Sequence, residues 1–236
     1  MPLQRGRMVE DISHLTLFRM ISRSWHEYYN KDSSIGVHLN SLAGHACLLE
    51  EVIRQNPKRI LEVGSGTGVM AVFFSWLGYG VVSVDNNRGV LDQAERLNRD
   101  LNGHSKYKLA DAFELSSEFA RDSFDVAFSQ GFFEHFSDQE IHQLVTQQLA
   151  VANCVIFSVP SKYYGVREYG NERLLLPTEW RVVLKEFSNV CIRDYHQKVR
   201  SLSSIIRKSL ISPSWIIPWK QNEHVLVTVR RDDSPR

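Results

Sequence analysis

The sequence predicts an α/β fold with a mainly parallel sheet. From residue 59 onward, short β-branched runs alternate with helix-period segments, and the first such run leads directly into a glycine-rich turn and an apolar helix. The chain has 236 residues, of which 43% are hydrophobic and 23% charged. That balance can bury one sizeable core and suits a single large domain, or a core with a lid, better than two full domains.

The elements can be read in order. Leu17, Ile21, Trp25 and Tyr28 recur at helical spacing, predicting a helix over about Asp11 to Asn30. A polar break follows, then a second helix over about Asn40 to Gln55, stopped by Pro57. The first strand is Arg59 to Val63. After its glycine turn a helix runs over about Thr67 to Leu77, and a strand over Val81 to Val84 closes at Asp85. Val90, Ala94, Leu97 and Leu101 form the stripe of the next helix, ended by Gly103. Tyr107 to Ala110 and Phe124 to Ser129 are the third and fourth strands. Ser137-Asp138-Gln139-Glu140 has the spacing of a capping box. A buried strand over Val155 to Val159 stops at Pro160, and Thr178 is the expected cap of a helix carrying Trp180 and Phe187. Strands over about Val190 to Asp194 and Val225 to Val229 close the order.

Composition sets further bounds. The formal net charge of +1 gives no reason to expect a nucleic-acid partner. Cys47, Cys154 and Cys191 lie far apart in apolar stretches without metal-ligand spacing, which reads as three reduced core thiols and no metal site. Met1 to Glu10 lacks the apolar run of a secretion signal, and no apolar stretch reaches the ~18 residues of a membrane span, so the expectation is a cytoplasmic protein.

The chemistry centres on Glu62-Val63-Gly64-Ser65-Gly66-Thr67-Gly68. Glycines turn the backbone sharply and let a ligand approach the main chain, and the following helix start offers free N–H groups. The spacing is GxGxG. Val69 stands where a dinucleotide fingerprint has its third glycine, and no GK[ST] follows. The Glu62 carboxylate would repel a pyrophosphate but suits a cationic amino-acid moiety.

This strand–Glu62-x-Gly64-x-Gly66-x-Gly68–helix resembles motif I of the class I S-adenosylmethionine (SAM)-dependent methyltransferases. The resemblance covers about residues 40 to 195. It implies a Rossmann-like, seven-stranded, mostly parallel sheet with helices on both faces and the last strand antiparallel. An N-terminal helical cap over residues 1–39 and a SAM-binding domain over 40–236 would complete the chain. It also implies SAM as cofactor, held by Glu62, Gly64, Ser65, Gly66 and Gly68. Asp85, with Asn86, would grip the ribose, Asp111 and Ala112 would meet the adenine, and Gln130 would close the strand-four side.

Methyl transfer from a sulfonium is an in-line displacement, so the protein chiefly holds the acceptor and excludes water. A base helps when the nucleophile carries a proton. His135 is the leading candidate and Glu134 the alternative, against the plainer reading that the pair orders the loop or caps the next helix. His14, His38, His45 and His196 are weaker candidates. Absent [DN]PP[YFW], Pro-Cys, paired-glutamate and carboxylate-cluster motifs leave a small-molecule acceptor as the default. Two inserts, about 161–177 and 197–222, lie outside the core. The later one is apolar and basic, which reads as a lid, a packing or dimer contact, or a segment resting on a membrane surface. A nicotinamide-dependent oxidoreductase and a non-catalytic subunit of the same fold are the competing readings.

Overall fold

The computed structural model describes Trp25 and residues 34–164, 171–199 and 220–232. The N-terminal helix apart from Trp25, His14, and residues 165–170 and 200–219 of the two inserts lie outside the described residues.

Seven strands form one sheet in the order β3-β2-β1-β4-β5-β7-β6. They are β1 (Arg59–Val63), β2 (Gly80–Asp85), β3 (Lys106–Leu109), β4 (Phe124–Gln130), β5 (Ala152–Pro160), β6 (Asn189–Val199) and β7 (Lys220–Arg230). The strands from β1 to β5 pair in parallel, and β7 runs antiparallel to both β5 and β6. This is the seven-stranded Rossmann-like sheet that the sequence led one to expect, with a single reversed strand.

Alternation along β1 sorts the core. Leu61 and Val63 face one side, with Ala127, Val155 and Phe157, against α6 (Asp138–Val151) and Trp180 of α7 (Pro177–Val183). Ile60 faces the other side, with Val126, Phe128 and Ile156, against α2 (Ala46–Arg54) and α3 (Val69–Trp76). The helix α4 (Arg88–Asp100) covers β2 and β3, and a short α5 (Leu115–Glu118) packs on α6. No described helix is long and apolar enough to cross a membrane.

The local signals hold at several points. The Ser137 hydroxyl accepts from Glu140 N–H, and the Ser137 N–H donates to the Glu140 carboxylate at 2.8 Å, the reciprocal capping box. Three expectations need correction. The helix expected from Asn40 is two helices, α1 (Ile35–Gly44) and α2, broken at His45, whose Nδ1 lies 3.0 Å from the Tyr195 hydroxyl. Gly44 costs little to break there because glycine is a poor helix former. Thr178 is not a cap: Pro177 opens α7, and the N–H of Leu176 donates to Glu179 at 2.7 Å. The late insert is narrower than 197–222, because β6 continues to Val199 and β7 starts at Lys220, with Val199 opposite Lys220. Backbone pairing in an antiparallel ribbon continues through polar residues that carry no alternation signal.

Candidate functional site

The loop after β1 owes its shape to its glycines. Gly64, Gly66 and Gly68 have φ of 81°, 50° and 77°, values at which a side chain strains the backbone. Position 68 is doubly constrained, because a Cβ there would sit 2.7 Å from the Cβ of Ala94 on α4. A Cβ at Gly64 would stand 3.0 Å from the Phe132 ring.

Beside this loop, at the carboxyl ends of β1, β2 and β4, lies a cavity of about 370 Å³. This is where an open α/β sheet binds its ligands. Gly64 and Gly66 form its floor. Asp85 and Asn86 line the β2 side, Asp111 and Ala112 the β3 side, and Gln130 and His135 the β4 side. The structure therefore brings eight residues singled out in the sequence to one concavity. Glu62, Ser65, Gly68 and Glu134 are buried and not on its wall.

Asp85 is held at both oxygens, accepting from the Ser65 N–H at 3.1 Å and the Asn87 N–H at 2.9 Å. Burial pushes its carboxyl above the usual value, and backbone bonds from Asn87, Ser65 and Asn86 oppose that push. The cap of α4 is Asn87, whose side chain accepts from Gly89 and Val90. Asp85 is thus free of a capping duty. Asp111 does cap: its side chain accepts from Phe113 N–H at 2.9 Å and starts the turn Ala112–Glu114, while also lining the cavity.

Glu62 stands apart from the cavity wall. It was expected on the cofactor, but its carboxyl is buried behind the loop and accepts from the Ser83 hydroxyl at 2.5 Å. Alternation explains this: Glu62 points to the α2–α3 face of the sheet, away from the face of Leu61 and Val63. Burial, then the Asp85 charge, raises its pKa to about 8, against the Ser83 bond. Glu134 is likewise buried, and burial and Glu172 raise its pKa to about 8.

His135 sits in a 3₁₀ turn, Phe133–His135, with Nδ1 2.6 Å from Oδ1 of Asn171. Burial lowers its pKa, while Asn171, Glu172 and the backbone of Gly131 favour its charged form. Its ring meets Trp25 edge to face, with centroids 5.0 Å apart. Arg173 staples this wall: its N–H donates to the Glu134 carbonyl at 2.8 Å and its guanidinium to the Phe136 carbonyl at 2.6 Å and to Asp138 at 2.5 Å.

Sequence reasoning missed Phe113, Phe132, Phe136 and Asn171 as cavity residues. Phe132 and Phe136 lie 4.9 Å apart and Phe113 and Phe136 5.7 Å apart, an aromatic wall from two separate loops. The run Gly131-Phe132-Phe133 beside a strand end was a signal for part of this. Asn171 had none.

Residues 60–153 match the family model of a methyltransferase domain. A protein-L-isoaspartate O-methyltransferase of Alkalilimnicola ehrlichii is 37% identical over 60 residues, which is 25% of this chain and 27% of the relative. The chain thus matches only about a quarter of that curated relative's length. The fold is similar to a SAM-dependent methyltransferase from Archaeoglobus fulgidus, with a TM-score of 0.58 at 12% identity, covering 92% of this chain and 99% of the other. It is also similar to a magnesium protoporphyrin IX methyltransferase from Synechocystis PCC 6803 with bound SAM, with a TM-score of 0.56 at 12% identity, covering 96% and 100%.

Proposed function

We infer that this chain, a member of the class I SAM-dependent methyltransferases by its fold and its residues 60–153, binds SAM in the loop-side cavity and methylates a small-molecule acceptor. The observation that carries this reading is convergence. Gly64, Gly66, Asp85, Asn86, Asp111 and Ala112 come from three strand ends and line one cavity.

The cavity suits the cofactor. Gly64 and Gly66 leave room for close approach to backbone, and the Asp85 carboxylate faces the space where two hydroxyls can donate to it. The turn Asp111–Phe113 gives a flat apolar edge for a base. When bound, SAM supplies an activated methyl group. The chain's residues do the rest. Phe132, Phe136 and Trp25 exclude water, and the Arg173 staple holds the wall that carries His135. His135, kept neutral by burial, takes the proton that an acceptor O–H or N–H gives up. Asn171 and the Gly131 backbone then favour the imidazolium that forms. The small-molecule acceptor rests on the apolar wall of Phe113, Phe132 and Phe136. Three free, unpaired cysteines fit a reducing compartment, and on that basis we assign the protein to the cytoplasm.

Calorimetric titration with SAM, S-adenosylhomocysteine and NADH in parallel tests the reading. Micromolar binding of the first two and none of NADH is expected. Binding of NADH alone would replace the reading with a nicotinamide-dependent oxidoreductase.

A further inference from the structure

We propose that Glu62 is a positioning residue that responds to the charge of the cofactor from behind the glycine loop. Neutral before binding, it gives up its proton when a sulfonium enters the cavity, and through Ser83 and Ser65 it holds the loop against Asp85. This rests on the SAM reading above.

The geometry is a three-link chain. The Ser83 hydroxyl donates to Oε2 of Glu62 at 2.5 Å, the Ser83 and Ser65 hydroxyls lie 2.8 Å apart, and the Ser65 N–H donates to Oδ2 of Asp85 at 3.1 Å. Every member before Asp85 is buried: Glu62, Ser65 and Ser83 are 4%, 3% and 0% exposed. Register places Glu62 directly beside Ser83 on β2 and Phe128 on β4, in the middle of the sheet. The charged group that acts on it is Asp85 at the end of β2, which disfavours its charge, and Tyr107 on β3 is a phenol kept neutral beside it. Among the described residues Glu62 forms no salt bridge with Lys, Arg or His. A carboxyl so buried stays protonated until a positive charge arrives nearby.

SAM brings such a charge at its sulfur, and its demethylated product lacks it. On binding, the Glu62 proton leaves to solvent. After methyl transfer the sulfur is neutral, and the carboxylate recovers a proton from solvent. Glu62 thereby favours the charged cofactor over the spent one without touching either.

The test is calorimetry of the full chain at pH 7 in two buffers of different ionisation enthalpy. Expected for SAM is release of a substantial fraction of a proton per site, and for S-adenosylhomocysteine close to none. Glu62→Gln should bind SAM without proton release and should narrow the preference between the two ligands. Equal release for both ligands overturns the proposal, as does release that persists in Glu62→Gln, which would assign it to Asp85. Should that variant not fold, the wild-type comparison decides by itself, and Ser83→Ala adds a check: release retained, with both ligands bound more weakly. Failure of either ligand to bind wild-type protein would overturn the cofactor reading itself, a result distinct from binding without release.

Discussion

Asp85 and His135 illustrate two kinds of site residue. Asp85 presents a carboxylate already fixed by two backbone N–H groups, so under the proposed function a ribose would meet it without reorganisation. Asp85→Ala removes charge-assisted hydrogen bonds worth roughly 1.5–3 kcal/mol each. SAM affinity measured by calorimetry should therefore fall at least about tenfold. In the proposed function His135 serves the chemistry rather than cofactor binding. His135→Ala should retain SAM affinity and lose turnover, assayed with whatever acceptor a metabolite screen supplies; full turnover would return the ring to a structural role against Trp25. Because burial lowers the His135 pKa and only the neutral ring accepts a proton, activity should rise with pH through a midpoint below the ordinary imidazole value. The family resemblance had already pointed to both residues, since each ends or follows a strand that is visible as a local apolar run.

At the scale of elements, the β1–α3 connection is the part most tightly built. Its last glycine meets α4 as well as the left-handed region. Gly68→Ala would place a methyl group 2.7 Å from the Ala94 Cβ and 3.1 Å from its Cα at a φ of +77°. Neither contact is the end of a flexible chain, so α3 and α4 must separate. Left-handed strain alone costs roughly 1–2 kcal/mol, and each 1 kcal/mol lowers the melting temperature of a chain this size by about 2–4 °C. A thermal melt should show a loss of at least several degrees and a weaker response to added SAM. An unchanged melt would mean that the two helices are not so closely packed. The elements that the sequence misplaced lack such constraints. The break at His45 depends on Tyr195, 150 residues away, and the extra length of β6 and β7 depends on their pairing with each other.

For the whole molecule, two carboxyls buried in the native state link stability to pH. Burial raises the pKa of both Glu62 and Glu134 to about 8 in the folded chain, against an ordinary value of 4.5. Between those values the folded chain keeps protons that the unfolded chain has lost. Their neutral burial therefore stabilises the fold fully below about 4.5, and that contribution is lost as pH rises toward about 8. The slope is up to about 1.4 kcal/mol per pH unit for each group. Denaturant unfolding without cofactor should show stability falling from pH 5 to pH 8, more gently in Glu62→Gln and Glu134→Gln. If wild type and both variants ran parallel, these carboxyls would not be the linked groups. For Glu62, bound SAM should flatten the same profile, because the sulfonium charge favours the ionised form.

By itself the sequence determined the strand–glycine loop–helix, the acids that close β2 and β3, and the order of elements. These follow from backbone rules acting over a few residues: glycine's access to positive φ, side-chain alternation, and hydroxyl and carboxylate caps. Only the tertiary structure decided which side chains share a wall. It seated Phe132 over Gly64, set Trp25 and Asn171 on His135, and turned Glu62 away from the cavity toward Ser83. Those meetings join segments tens of residues apart, and they are fixed by how the two faces of one sheet are filled.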